Sequence, residues 1–430
     1  MDKEKKGIHL PALGRRSKQE ETIPEDDRKG KAERSMPFSK ADDAPVYPDP
    51  VPGRTALVLS GGGSRGAYQV GVWQALREMD VPIHIAVGTS IGSLNAAAVA
   101  QNTYDNAVAL WNQLETDMIF DYANVVENRG VKFTTIKDVL RKNLIEENIR
   151  ASDVDFGIVT VKFPSMEPLY MWKEDMPEGE MLDYILASSS VFPAVTPYEI
   201  HDEKFLDGGY HDVMPVSMAL EKGAERIIAV NLDTTGILRK EAIEYAGDRL
   251  TIVQCHWELG SFLVFDTDNA RHIMRLGYLD TLKTFGILEG YRYSFGRGQM
   301  GKRSLRPAEY AAHAFSLDPE IIYTSDMFME KLGGQIRQYV ESKDSELEDL
   351  RRRLRKLSIL QFERSIDQIR SASRRALIVY SADLIRAGLG AADPESKAVK
   401  EPPAPFRKLF EKLFASDIAA AAWLIKNNLI

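Results

Sequence analysis

One cysteine in 430 residues, Cys255, has no partner within the chain. An intrachain disulfide framework is therefore excluded, and a reducing, intracellular setting is expected. Positive charge is not in excess either. The formal net charge is -8, so nucleic acid is not a favoured partner. No uninterrupted apolar run is long enough to span a bilayer. The opening residues Asp2, Lys3, Glu4, Lys5 and Lys6 are charged with no apolar stretch behind them, which does not read as a secretory signal. These absences lead us to expect a cytoplasmic protein whose membrane contact is at most peripheral. What is present is an apolar fraction of 44%, enough for a substantial core in one large domain with extensions, or in two domains.

Residues 1–53 mix both charge signs with many prolines and close on Ala44-Pro45-Val46-Tyr47-Pro48-Asp49-Pro50. Such a segment buries little and is expected to stay mobile. From Arg54 strand and helix patterns alternate: strand 55–60, helix 66–79, strand 83–87, helix 92–102. Later strand candidates are Phe156–Val161, Leu169–Trp172 and Arg226–Asn231. Continuous β-branched runs between helices predict an α/β sheet buried on both faces. Ligands in such sheets bind beyond the carboxyl ends of the strands.

Residues 301–430 read as a helical extension, with 326–387 highly charged. Glu346-Leu347-Glu348-Asp349 precedes Arg351-Arg352-Arg353-Leu354-Arg355-Lys356, and i,i+4 pairing on a solvated helix accounts for most of that run. A linker near 390–405 contains Glu401-Pro402-Pro403-Ala404-Pro405. The last helix is expected to carry Phe406, Leu409, Phe410, Leu413 and Phe414 on one face, opposite Arg407, Lys408 and Lys412. A stripe at this spacing packs on its own protein or on another copy, which leaves homo-oligomerisation through these helices open. Interfacial membrane binding is the sharper alternative.

Two glycine-bracketed turns carry the chemistry. Gly61-Gly62-Gly63-Ser64-Arg65-Gly66 follows the apolar run Ala56–Leu59, and Gly88-Thr89-Ser90-Ile91-Gly92 follows Ile83–Val87. The second is the Gly-x-Ser-x-Gly of a serine held on a tight strand-to-helix turn, where a side chain two positions either way would strike a neighbour. The first also satisfies the dinucleotide pattern Gly-x-Gly-x-x-Gly. A nucleotide site would want a carboxylate at the end of the next strand, and here that strand ends in Val87-Gly88-Thr89-Ser90. No Gly-Lys-Ser/Thr follows, so the phosphate-loop reading fails too. The same exposed amides can hold a tetrahedral oxyanion beside Ser90, with the charge of Arg65 nearby.

A serine hydroxyl needs a base. His201, His211 or His256 could supply it in a Ser-His-acid triad, yet no turn visibly presents any of them. Asp207-Gly208-Gly209 follows the strand-like Glu203–Leu206 and is the better candidate, because two glycines let the backbone bend sharply. Partial burial would raise the Asp207 pKa and improve it as a base. Cys255 sits in no glycine turn and reads as a buried bystander.

With these three elements in order, the chain resembles the patatin-like phospholipase family over roughly residues 54–300. The stretch Ala187-Ser188-Ser189-Ser190-Val191-Phe192-Pro193-Ala194 is similar to the family's lead-in to its catalytic aspartate. The resemblance implies a three-layer α/β/α fold with a mainly parallel sheet and a Ser-Asp dyad. Ser90 would be the nucleophile and Asp207 the base. Gly61, Gly62, Gly63 and Arg65 would form the oxyanion hole, supported by Gly66, Gly88, Gly92, Gly208 and Gly209. It implies phospholipid or other acyl-ester substrates and no metal or cofactor. The family often has Asn before the proline that follows Asp-Gly-Gly, and Tyr210-His211-Asp212-Val213-Met214-Pro215 departs from that pattern. Two rival functions remain: an acyltransferase on a related sheet, and an inert scaffold built on the charged helices.

Overall fold

Alternation of side chains along each strand gives the sheet two apolar faces, and helices cover both. The structure is a computed structural model, and it describes residues 47–120, 134–342, 345–355, 369, 371–388 and 410–430. Most of the expected N-terminal arm (1–46) and the whole of the expected linker lie outside those residues.

The strands are β1 (Val51–Leu59), β2 (Ile85–Thr89), β3 (Asp155–Phe163), β4 (Pro168–Trp172), β5 (Tyr198–Ile200), β6 (Glu203–Asp207), β7 (Ala224–Asn231) and β8 (Leu250–Gln254). β1 lies between β2 and β7 and is parallel to both. β3 extends the parallel set beyond β2, and β8 extends it beyond β7. β4 and β6 run antiparallel to β3. The sheet is thus mainly parallel, with an antiparallel flank.

On one face Leu57, Leu59, Ala86, Phe156, Ile158 and Val230 pack against helix α1 (Ala67–Glu78), helix α2 (Ile91–Gln101) and the helix Thr267–Thr284. On the other, Ala56, Val58, Ile85, Val87, Val159 and Ala229 pack against the helices Val216–Glu221 and Lys240–Ala246. The three-layer architecture follows from this two-sided burial. β4 differs from the expectation of strands buried on both faces. Its residues are only half-buried, because it sits at the outer edge of β3.

A second core belongs to the helical part. Tyr293, Phe295, Phe315, Phe328 and Leu332 join Leu377, Tyr380, Phe410, Phe414 and Trp423 there. One sequence expectation needs correction in this region. The last helix is Ala415–Lys426, and the chain bends at Phe414 rather than running straight through the aromatic stripe. Phe410 and Phe414 both turn inward, so that stretch packs within the molecule; Phe406 and Leu409 lie outside the described residues. In the basic run Arg351 pairs with Glu348 and Arg352 with Asp349, and Arg351 also reaches Asp383 on the helix Arg374–Gly388 at 2.6 Å.

Candidate active site

The site begins with how strands share the edges of β3. β2 pairs with Asp155–Val159, β4 with Gly157–Val161 and β6 with Thr160–Phe163. A strand offers each residue one partner per edge. β4 overlaps both of the others, so β2 and β6 must lie on the same edge, end to end. β2 leaves the ladder at Thr89, opposite Val159, and β6 leaves it at Asp207, opposite Thr160. Ser90 and Asp207 are therefore brought together where two carboxyl ends meet head-on.

Ser188 fills the gap between them. Its hydroxyl donates to the Val159 carbonyl (2.6 Å) and accepts from the Ser90 amide (3.0 Å). Two backbone groups at the break in the ladder are satisfied by one buried side chain. The Asp207 amide donates to the Ser190 carbonyl (3.0 Å), so the same Ala-Ser-Ser-Ser stretch steadies both catalytic candidates. The sequence quoted this stretch only as a likeness; no spacing rule could have singled out Ser188.

Ser90 sits at φ 57° and ψ -130° and caps α2. That backbone is unfavourable for a residue with a Cβ and stores about 1–3 kcal/mol. Its neighbours must be glycines. A Cβ at Gly88 would lie 2.1 Å from the Gly92 carbonyl oxygen, and one at Gly92 would lie 2.1 Å from that of Leu59. Gly208 has the same role on the other side: a Cβ there would lie 2.2 Å from the Val159 carbonyl oxygen. The chain can turn over the rim of β3 only because that atom is missing. The amino end of α2 points at Ser90, and its dipole favours negative charge there.

The glycine-rich turn is fixed on nearly every backbone atom. The Ser60 carbonyl accepts from Gln69, that of Gly61 from Thr234, and that of Gly62 from the Arg65 amide. The Gly61 amide donates to Val213 (3.0 Å) and the Ser64 amide to Phe262 (2.9 Å). Between them, the amides of Gly62 and Gly63 have no acceptor among the described residues. A Cβ at Gly61 would lie 3.2 Å from the Ser90 Cβ, so the turn runs directly beside the serine. Arg65 has a structural role as well as its charge. Its guanidinium donates to the carbonyls of Gly260, Leu232 and Asp233, strapping the turn to two loops. Gly66 packs against Ile91 and Trp111 and gives its carbonyl to Asn95, which also binds Gln69.

Asp207 is buried, and loss of solvent raises its pKa to about 6. Hydrogen bonds from the Ser90 hydroxyl and the Gly209 amide hold that rise in check. The Gly209 amide is 2.7 Å from Asp207 Oδ1. The three histidines go elsewhere. His201 is exposed and pairs with Glu180, His211 lies against the Arg239 guanidinium, and His256 stacks on Tyr291. None has a recorded bond to Ser90 or Asp207 among the described residues. Cys255 is buried, and burial pushes its thiol well up, away from reactivity. Asp212 is fully buried, with its carboxylate accepting from the Met214 amide and the Tyr170 hydroxyl. Burial lifts its pKa to about 6 as well. Its carbonyl accepts from Thr89 beside Ser90 (2.8 Å), a link the sequence did not disclose. No metal-holding cluster of His, Cys, Asp or Glu occurs among the described residues.

Residues 57–220 match the model of the patatin-like phospholipase family, a span that contains all three motifs. The resemblance read from the sequence is borne out over that span. A lysophospholipase NTE1 of Meyerozyma guilliermondii is 32% identical over 198 residues, covering 41% of this chain and 12% of the relative. A patatin-like phospholipase domain-containing protein of Caenorhabditis elegans is 30% identical over 215 residues, covering 45% of this chain and 14% of the relative. The chain thus corresponds to a small part of these curated relatives. Among solved structures, VipD from Legionella pneumophila covers 87% of this chain and 91% of its own at 13% identity, with a TM-score of 0.35. That score is too low to carry an argument.

Proposed function

We propose that the chain hydrolyses acyl esters of lipids, of the phospholipid or lysophospholipid kind, through a Ser90–Asp207 dyad and an acyl-enzyme. Residues 54–300 would form the hydrolase domain. Asp207 takes the proton of Ser90 as its oxygen attacks the ester carbonyl carbon. The oxyanion is received by the amides of Gly62 and Gly63, and each such donor is worth about 3 kcal/mol of barrier. Gly61 contributes its smallness, since its own amide is already bonded to Val213. Arg65 acts by holding the turn in place. Collapse expels the alcohol, which takes the proton back from Asp207. Water, deprotonated by Asp207, then releases the fatty acid and restores Ser90.

The observation that carries this reading is the head-on meeting of β2 and β6 on one edge of β3, beside two amides that have no acceptor among the described residues. A carboxyl group with a pKa near 6 is ionised at neutral pH yet basic enough to assist attack. The family match and the names of the curated relatives support the lipid ester as substrate.

Ser90→Ala tests the proposal. The parent should hydrolyse short-chain p-nitrophenyl esters and take a fluorophosphonate label at Ser90, and the variant should do neither. Equal turnover by the variant would refute the dyad. Essential His201, His211 or His256, with alcohols outcompeting water as acceptor, would favour acyl transfer instead.

A further inference from the structure

We infer that the loops beyond the carboxyl ends of the parallel strands form a docking face for a lipid–water interface, so that the enzyme sits on the aggregate that supplies its substrate. The inference rests on the lipid-ester reading above. It moves membrane contact away from the C-terminal aromatic stripe, whose Phe410 and Phe414 are buried in the second core.

Topology supplies the first observation. β1, β2, β3, β7 and β8 are parallel, so the segments leaving their carboxyl ends emerge on one side of the sheet, the side of Ser90. Large apolar side chains are exposed along those segments. Phe163 ends β3 and Met166 follows it, the latter 44% exposed. After β7 come Ile237 and Leu238, and after β8 come Phe262 and Val264, with Ile237 50% and Val264 53% exposed. The Phe192 ring, also exposed, lies 6.4 Å from that of Phe163, and the Phe192 carbonyl accepts from Tyr210, three residues beyond Asp207.

The second observation is continuity with the site. Thr234 donates to the Gly61 carbonyl (2.8 Å), and the Ile237 amide donates to that of Gly209 (3.0 Å). Ser64 donates to the carbonyls of Ser261 and Phe262. The loops after β7 and β8 are thus bonded directly to the turns that carry the chemistry.

Charge supplies the third. Acidic and basic residues make up 27% of the chain, yet residues 163–166, 191–197, 234–238 and 259–265 contain none. Exposed apolar side chains grouped on one rim and uninterrupted by charge mark a surface that meets an apolar partner, with Glu167, Asp233, Arg239, Glu258 and Asp266 only flanking these stretches. A dry protein partner would seal the catalytic mouth. A lipid interface instead delivers ester to it, and burying these side chains in the interfacial layer provides the attraction. The charges flanking these stretches are mostly acidic, so binding should not depend on anionic headgroups.

The test uses the full chain and phosphatidylcholine vesicles in a sedimentation assay. Ser90→Ala should bind like the parent, because docking precedes chemistry. Met166→Asn/Leu238→Ser/Val264→Ser should weaken binding about tenfold or more, from the loss of buried apolar area. It should keep the parent's turnover of soluble p-nitrophenyl butyrate, which also shows that it folds. Leu238→Trp should bind more tightly, since indole favours the interface. Ile287→Ser, just after the helix that runs back from this rim, should change nothing, and salt at about 0.5 M should leave parental binding intact. Undiminished binding by the triple variant, or equal loss in Ile287→Ser, would overturn the inference. So would release of the parent by salt. A parent inactive on soluble esters that still binds through these loops would sink the dyad and leave the docking face standing.

Discussion

The sheet and the helical part after it use the same residue types under different constraints. Around the sheet, glycines are imposed by contact: a Cβ at Gly88, Gly92 or Gly208 would come within 2.2 Å of a backbone carbonyl oxygen. In the helical part, Gly334 lies within the helix Ser325–Glu341 and a Cβ there would meet nothing within 4 Å. Carboxylates differ in the same way. Asp207 and Asp212 are buried and their pKa values are raised, whereas Glu348 and Asp349 pair with arginines on the surface. One region spends stability on a shape that chemistry can use. The other follows ordinary packing rules.

The largest effect should come from Asp207→Asn. Turnover of p-nitrophenyl esters should fall about 10²–10⁴-fold, as expected for loss of a general base. The parent's rate should itself fall as pH drops below about 6, because protonated Asp207 cannot accept the serine proton. The same substitution should raise the melting temperature at neutral pH. The folded pKa lies above the value of 3.8 expected unfolded, so ionisation disfavours the folded state by about 3 kcal/mol once the pH exceeds both. That gain should fade towards about pH 4, where the carboxyl is protonated in either state. A variant with normal turnover would erase the contrast between the two regions.

Gly92→Ala comes next. Its Cβ has only backbone to displace, so a loss of about 4 kcal/mol or more, with loss of activity, is expected in a denaturant melt. Gly334→Ala is the matched control and should stabilise the protein by up to about 1 kcal/mol. Equal responses would show that the two environments do not differ. Phe414→Ala should destabilise the second core by about 3 kcal/mol, while kcat/KM measured well below the melt stays at the parental value. A lowered kcat/KM there would mean that the helical part shapes the site. Ser188→Ala should have the smallest effect of the substitutions at the site, about 1–3 kcal/mol of stability from the unpaired Ser90 amide, with a modest fall in turnover.

The sheet's order of strand and helix was legible because buried strands announce themselves by composition and turns by glycine. Ser90 and Asp207 stood out for the same reason: Gly88, Gly92 and Gly208 beside them leave no room for a Cβ. Ser188 and Asp212 were illegible as partners, since a serine or aspartate looks alike whether it faces water or plugs a broken ladder. The inward turn of Phe414 was also hidden, because one aromatic stripe can cover a core, a copy or a membrane.

The sequence alone determined which atoms had to be missing, and hence where the chain could turn tightly enough to present a hydroxyl and a carboxyl. Tertiary structure decided the rest. Strand β6 runs antiparallel into the end of β2, the Gly61 amide is claimed by Val213, and the amides of Gly62 and Gly63 are left unclaimed among the described residues. Local sterics act between neighbours along the chain and can be read there. Hydrogen-bond partners more than a hundred residues apart are chosen only when the layers pack.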